Sequence, residues 1–319
     1  MKIAILDDYQ DSVRHLACFS LLAEHEVIVL HETFSEQVLI EKLQDVEVLV
    51  LIRERTVITK SLLAQLPQLK LISQTGKVSN HIDPEMCQAY GVDIAQGIGS
   101  PVAPAELCWT LIMAASRNIS AYAGALQQNQ WQQSGSLGLG RTLSGLTLAI
   151  WGYGKIGKRI AQYAQAFSMN VIVWGSEESR QAAINDGFQA ASSKSEFFQQ
   201  ADIVSLHLRL NDVTKGCVTH SDLQQLKDDA LVVNTSRAEL IESDALYSEL
   251  SRRSSLRAAI DVYENEPASK ENEPLIALEN VLALPHIGYV EKNSYELYFK
   301  IAFENVVAYA QAKPQNLMY

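Results

Sequence analysis

The sequence predicts an α/β chain with two open parallel sheets. Short runs of Val, Ile and Leu recur without polar alternation, as parallel strands covered on both faces require. Helix-spaced segments separate the runs. The pattern starts twice, near residue 3 and again near residue 146, and 319 residues are enough for two buried cores.

The first series places strands over 3–6, 27–30, 46–52, 69–72 and 92–95, with helical spacing over 35–43 and 60–66. From Ser100 the texture changes. Pro101 and Pro104 open a helix over 105–116, with Glu106 in its first turn, where the helix dipole favours an acid. Leu107, Trp109, Leu111, Ile112 and Met113 make this helix unusually apolar. A loop rich in Gln, Ser and Gly follows over 129–142. An apolar helix beside an exposed arm predicts a homodimer, the commonest closed oligomer; the alternative is an inter-domain helix packed in the core. Within the loop, Gly135-Ser136-Leu137-Gly138-Leu139-Gly140-Arg141-Thr142 nearly spells a P-loop. It has Arg where Lys belongs and precedes a strand, so it reads as a loop. The second series places strands over 146–151, 171–174, 202–207, 230–234, 257–261 and 281–284, and a last helix over 295–312.

Composition narrows the function classes. Apolar residues make up 47% and charged residues 20%, as in ordinary globular proteins. A formal charge of −11 argues against nucleic acid and against an anionic membrane surface. No apolar run reaches the roughly 20 residues that span a bilayer, and the opening Lys2-Ile3-Ala4-Ile5-Leu6-Asp7-Asp8 is too acidic for a signal peptide. Cys18, Cys87, Cys108 and Cys217 lack Cys-x-x-Cys spacing, so no zinc site or redox dithiol is suggested. These features predict a cytoplasmic protein, without a metal.

Four short segments carry the chemistry. Gly152-Tyr153-Gly154-Lys155-Ile156-Gly157 sits between an apolar strand and a helix with Ile156, Ile160, Tyr163 or Ala164, and Phe167 on one face. A second strand completes a βαβ unit, the context that gives this glycine pattern meaning. Gly152 permits the tight turn, Gly154 lets the backbone approach a pyrophosphate, and Gly157 lets helix and strand pack closely. Unpaired N–H groups at the helix start face the anion. At the end of the second strand, where an NAD-binding unit usually has an acid, stand Gly175-Ser176-Glu177-Glu178-Ser179-Arg180. Gly175 removes the usual barrier to a 2′-phosphate, and Ser176 with Arg180 suits one. Glu177 and Glu178 oppose it unless they point away, and Glu177 reads equally as a displaced ribose ligand, so the reading leans to NAD and leaves NADP open.

The remaining segments follow strands. Arg237, in Asn234-Thr235-Ser236-Arg237, can grip a carboxylate or keto oxygen through two N–H groups. Alone it reads better as a surface arginine in a capping turn, with Ser236 as cap. His286, in Leu284-Pro285-His286-Ile287-Gly288, suits proton transfer in both directions. Glu266, in Asp261-Val262-Tyr263-Glu264-Asn265-Glu266-Pro267, can bond the other ring nitrogen and favour the imidazolium. Parallel strands would gather all three at one sheet edge. Together they suit hydride exchange between a nicotinamide and a small acid.

With these segments the chain resembles the D-isomer-specific 2-hydroxyacid dehydrogenases over nearly its whole length. The resemblance implies two doubly wound parallel-sheet domains: a Rossmann coenzyme domain, 100–287, inserted into a flavodoxin-like substrate domain, 1–99 plus 288–319. It implies Arg237, Glu266 and His286 as catalytic residues. It places Thr235, Ser236 and Asp261 at the nicotinamide end, Lys155 and Ile156 at the pyrophosphate, and His207, Leu208 and Arg209 along the cofactor. Thr75-Gly76-Lys77-Val78-Ser79-Asn80-His81-Ile82-Asp83 aligns with the family's substrate loop, with Val78 in place of a glycine and Lys77 adding a charge. Arg53-Glu54-Arg55-Thr56 would face the same cleft, and Lys77, Arg53 or Arg55 would serve a second carboxylate or a phosphate; the alternative is that they are solvated surface charges. The expected reaction interconverts a small D-2-hydroxy acid and its 2-keto acid. A formate- or phosphite-type dehydrogenase shares the architecture, but formate needs no proton transfer and so no Glu266–His286 pair. The alternative outside enzymes is a non-catalytic, dinucleotide-sensing regulator.

Overall fold

A computed structural model describes residues 1–318, and they divide into two compact units. The first takes Met1–Ser100 and resumes at Val290; the second is Pro101–Tyr289.

The first unit holds strands Lys2–Ile5 (β1), Glu26–Val29 (β2), Val48–Leu51 (β3), Leu71–Gln74 (β4) and Asp93–Ala95 (β5). All pair in parallel, in the order β2-β1-β3-β4-β5, the flavodoxin-like arrangement. β3 and β4 are buried at every position, which is why they lack polar alternation. One core layer gathers Leu6, Leu39, Leu43, Leu49, Leu62 and Ile72. On this unit's C-terminal helix, Lys292–Ala310, the aromatics Tyr295, Tyr298, Phe299 and Phe303 are buried. Its Ala302 carbonyl accepts from Ser73 Oγ at 2.8 Å, and Phe19 meets Phe303 edge-on at 6.1 Å. The helix starts before the expected residue 295 because the Glu291 carboxylate caps the N–H groups of Asn293 and Ser294.

The second unit holds Thr147–Trp151 (β6), Asn170–Trp174 (β7), Gln189–Ala190 (β8), Ile203–Leu206 (β9), Leu231–Asn234 (β10), Arg257–Ile260 (β11) and Val281–Ala283 (β12). All are parallel, in the order β12-β11-β10-β9-β6-β7-β8. Counted from β6 this is the doubly wound order of a Rossmann sheet with one further strand. The sequence suggests six strands here; β8 escapes notice because two residues make no apolar run. Helices cover both faces. On one, Trp151, Phe197 and Phe198 pack edge-to-face at 5.2–6.0 Å; each buried phenyl contributes about 1.5–3 kcal/mol. On the other, Cys108, Leu111, Ile112, Ile160 and Ala161 meet Ile150 and Val233.

Three local expectations need correction. The apolar helix runs Val102–Ser116, a turn earlier than expected, so Glu106 lies past the first turn. One of its faces (Ala105, Cys108, Leu111, Ile112) belongs to the second unit's core. A further helix, Ile119–Gln127, precedes the loop; its residues are at most half-buried, so its pattern carries little periodic signal. On the cradle helix, Lys155–Ala166, the buried face is Gly157, Ile160, Ala161 and Ala164. Phe167 caps that helix and is 40% exposed.

Candidate active site

In a doubly wound sheet, ligands bind outside the carboxyl ends of the strands, where the strand order reverses. In the second sheet the reversal falls between β6 and β9. Gly152 follows β6 with φ +101°, and a Cβ there would stand 2.5 Å from the carbonyl oxygen of His207, which follows β9. A Cβ on Gly157 would stand 2.1 Å from the Gly152 carbonyl oxygen. Gly154 differs: a Cβ there would meet nothing within 4 Å. The turn is therefore tight at Gly152 and Gly157 and open at Gly154, before the 12-residue cradle helix, and this fits a pyrophosphate against the helix's first N–H groups. Lys155 is exposed and Ile156 half-buried at this mouth. Tyr153, in the same turn, is buried. Its hydroxyl donates to Asp186 at 3.0 Å, as does the Lys158 ammonium. Desolvation, with Asp186 adding to it, pushes the Tyr153 phenol above its ordinary range.

After β7, Gly175 has φ +149°, where a carboxylate-bearing side chain would be strained. Ser176 Oγ caps the Ser179 N–H at 3.2 Å, opening the helix Glu177–Asn185. The Arg180 guanidinium lies over the Trp174 ring, 4.9 Å from its centroid. Glu177 and Glu178 are exposed. After β9, His207 Nε2 bonds Ser205 Oγ at 2.8 Å, and Cys108 Sγ bonds the same hydroxyl at 3.3 Å. Burial lowers the His207 pKa to about 4 and pushes the Cys108 thiol up to about 11, so both are neutral near pH 7. Leu208 is half-buried and its Cδ2 nears Gly152; Arg209 is exposed.

β10, β11 and β12 end side by side, with Asn234 opposite Ile260 and Ile260 opposite Ala283. Arg237, Glu266 and His286 each lie three to six residues beyond those ends. Asn234 shapes the Arg237 turn: its Oδ1 accepts from Ser236 N–H at 3.1 Å and its Nδ2 donates to the Arg237 carbonyl at 2.8 Å. Ser236 is not a helix cap; its Oγ donates to the Leu206 carbonyl at 2.7 Å and ties the turn to β9. The Arg237 guanidinium, half-buried, donates to the Ser236 carbonyl at 2.7 Å.

His286 Nδ1 bonds Glu266 Oε2 at 2.7 Å, and Glu266 Oε1 accepts the Tyr263 N–H at 3.0 Å. The dyad is open to solvent, the two side chains being 23% and 34% exposed. Asp261, 1% exposed, holds the histidine loop: its two oxygens accept the N–H groups of Ile287 and Gly288, both at 2.8 Å. Desolvation pushes its carboxyl up to about 6, against those bonds and the nearby imidazole. The Tyr263 hydroxyl donates to the Leu284 carbonyl at 2.8 Å, joining the glutamate and histidine segments. Sequence reasoning gave Asn234 and Tyr263 no role.

The first unit carries the other predicted residues. Gly76 is buried beside Arg53: a Cβ there would stand 2.2 Å from Arg53 Nη1. Arg53 N–H donates to Thr75 Oγ1 at 3.0 Å, and Gln74 Nε2 donates to the Arg53 carbonyl at 2.8 Å. Lys77 is exposed and Val78 half-buried.

The family model described as D-isomer specific 2-hydroxyacid dehydrogenase, NAD binding domain, matches residues 109–288. The glyoxylate reductase of Aeropyrum pernix is 33% identical over 264 residues, 81% of this chain and 78% of that protein. The D-3-phosphoglycerate dehydrogenase of Methanocaldococcus jannaschii is 30% identical over 290 residues; the match takes 90% of this chain but only 53% of that protein, so the chain spans about half its length. A crystal structure of phosphoglycerate oxidoreductase from Vibrio cholerae o395 is 63% identical, with TM-score 0.97 over 98% of this chain and 99% of that one. The chain belongs to the D-isomer-specific 2-hydroxyacid dehydrogenases, NAD-binding oxidoreductases that act on the CH–OH group of hydroxy acids.

Proposed function

We propose that this chain interconverts a small D-2-hydroxy acid and its 2-keto acid, with Arg237, Glu266 and His286 as its reacting and tuning residues. The observation that carries this reading is the 2.7 Å bond between His286 Nδ1 and Glu266 Oε2. A carboxylate on Nδ1 fixes the tautomer and leaves Nε2 to exchange the proton. The reading needs a hydride donor and acceptor, chemistry that NAD would supply when held at the glycine turn. Arg237 holds the substrate carboxylate and polarises the C2 oxygen. In reduction His286 gives its Nε2 proton to that oxygen; in oxidation it takes the proton back. Asp261 keeps the histidine loop in place through two N–H groups.

On the substrate side, the backbone of Gly76, Lys77 and Val78 would bind the carboxylate. Arg53, packed on Gly76, and the exposed Lys77 would serve a second anionic or hydroxylated end. Glyoxylate, hydroxypyruvate and 3-phosphoglycerate, which the names of relatives point to, are the first substrates to try. On the cofactor side the pyrophosphate would rest on Gly152, Gly154 and Gly157, with Lys155 and Ile156 at the helix start. Thr235, Ser236, His207, Leu208 and Arg209 would line its length. The ribose would lie at Gly175 and Ser176.

The test is oxidation of NADH and NADPH by the purified protein with a panel of 2-keto acids. Turnover with one of them, lost in His286→Ala while dinucleotide binding persists, is the expected result. Turnover unchanged in His286→Ala would sink the assignment. A second reading of the cofactor, NADP, is favoured by the lack of an acid at Gly175, whose φ of +149° disfavours one, and by Arg180 over Trp174. Tighter binding of NADPH than NADH, reversed in Arg180→Ala, would establish it. We also propose a homodimer through the arm after the apolar helix, where Ile119, Leu126, Trp131 and Leu139 are 53–89% exposed. Four unpaired thiols, three of them buried, favour a cytoplasmic setting.

A further inference from the structure

We propose that Asp8, Asp11 and His31 form a binding site for a divalent first-row transition cation, in the first unit. The three lie at the carboxyl ends of adjacent parallel strands, Asp8 and Asp11 after β1 and His31 after β2. One ligand atom from each falls within 4.8 Å of the other two. The backbone sets this up: Asp8 N–H donates to the Leu30 carbonyl and Asp11 N–H to the Asp8 carbonyl, both at 2.9 Å.

The observation that points to a ligand is the state of Asp8. Its side chain is fully enclosed, at 0% exposure. Oδ2 accepts the Val13 N–H at 2.9 Å, whereas Oδ1 is buried with no hydrogen-bond partner among the described residues. An enclosed carboxylate oxygen without a donor is costly, and a bound cation removes that cost. Asp11 and His31 stand beside it with side chains 50% and 41% exposed, free to turn inward. Their nearest atoms, Asp11 Oδ1 and His31 Nδ1, are already 3.5 Å apart. A cation at about 2.0–2.2 Å from each ligand needs neighbouring ligands about 3 Å apart. Two carboxylates with one imidazole suit Mn²⁺ or Zn²⁺ better than Mg²⁺ or Ca²⁺, which take oxygen alone. The positive groups nearby are Arg14, whose Nε donates to Asp11 Oδ1 at 3.2 Å, and Arg55, whose Nη1 donates to the Asp7 carbonyl. Arg14 is exposed and can swing away when a cation arrives. A bound cation would pin the 8–11 turn to the end of β2. The ligands are spread over 24 residues and include no cysteine, so spacing in the sequence does not reveal them.

The experiment is calorimetric titration of the full, chelator-treated chain with Zn²⁺ and with Mn²⁺, alongside the Mn²⁺ paramagnetic-resonance signal. One cation per chain is expected. Asp11→Asn and His31→Gln should each weaken it about tenfold or more, and the double variant should abolish it. Both positions are partly exposed, so the variants keep the wild-type melting temperature without metal. Failure of the wild type to bind one equivalent, or equal binding by the double variant, would overturn the proposal. Displacement by an equal concentration of Mg²⁺ would overturn the assignment to a transition cation.

Discussion

Gly154→Ala and Gly157→Ala should separate the two jobs of the glycine turn. A Cβ on Gly157 would stand 2.1 Å from the Gly152 carbonyl oxygen and 3.3 Å from Ile150 Cγ2. Ordinary contact begins at 3.4 Å, so helix and strand must separate by about 1.3 Å (3.4 less 2.1). The obstacle is backbone, and Gly152 is itself pinned by its N–H to the Trp174 carbonyl at 3.0 Å. Overpacking of this kind costs about 1–3 kcal/mol, or about 2–4 °C in melting temperature per kcal/mol. Gly154, by contrast, has φ −87° and open space where a methyl would stand, so alanine there leaves the fold alone. Its methyl would instead occupy the room left for the pyrophosphate. An equal cost then falls on binding, about 5- to 150-fold in Kd. Fluorescence titration with NADH and thermal melts of both variants measure the two effects. Gly154→Ala binding NADH like the wild type, or Gly157→Ala melting like it, would refute the reasoning.

Three further outcomes are expected. His286→Ala should lose about 10²–10⁴ in turnover with NADH affinity unchanged; Glu266→Gln, which keeps the shape of the pair without its charge, should lose less, and steady-state kinetics with direct binding would show it. Gly76→Ala should push the Arg53 guanidinium aside and raise KM about tenfold for an anionic substrate, without a change in melting temperature, because the displaced group is the end of a flexible side chain. Stability against pH should carry two opposed contributions. Asp261 titrates near 6 when folded and about 3.9 when unfolded, so the folded chain holds its proton more tightly and stability falls as pH rises from about 4 to 6. His207 titrates near 4 when folded and about 6.5 when unfolded, so stability falls as pH drops from about 6.5 to 4. Each is worth about 3 kcal/mol, and they nearly cancel. Denaturant unfolding of Asp261→Asn should reveal the histidine slope and that of His207→Asn the aspartate slope; equal slopes in both variants would contradict this.

Much of this protein is legible in its sequence because the governing physics is local. Parallel strands covered on both faces are mostly apolar, so β3 announces itself as the unbroken run Val48–Leu51 and β10 as Leu231, Val232 and Val233 before Asn234. A glycine turn between strand and helix is a short-range device, and Gly152, Gly154 and Gly157 are recognisable by their spacing within a strand–helix–strand context. The ends of strands are legible too, which is how Arg237, Glu266 and His286 come forward together. Where a segment is short or lacks a one-sided pattern, the signal fails, as at β8 and at the helix Ile119–Gln127.

Only the tertiary structure decides what those residues touch. Strand order, which sets Gly152 against His207 and lines up the ends of β10, β11 and β12, is a long-range choice among many pairings. The Glu266–His286 bond closes over 20 residues and the Asp261 bonds over 26 and 27. Burial, which holds His207 neutral and raises the Asp261 carboxyl, exists only once the sheet and its covering helices are assembled. The sequence therefore determined the residue types, their order and the elements that bear them. Hydrogen-bond partners, charge states and the enclosed oxygen of Asp8 were decided by packing, because desolvation and directional bonding depend on neighbours far apart along the chain.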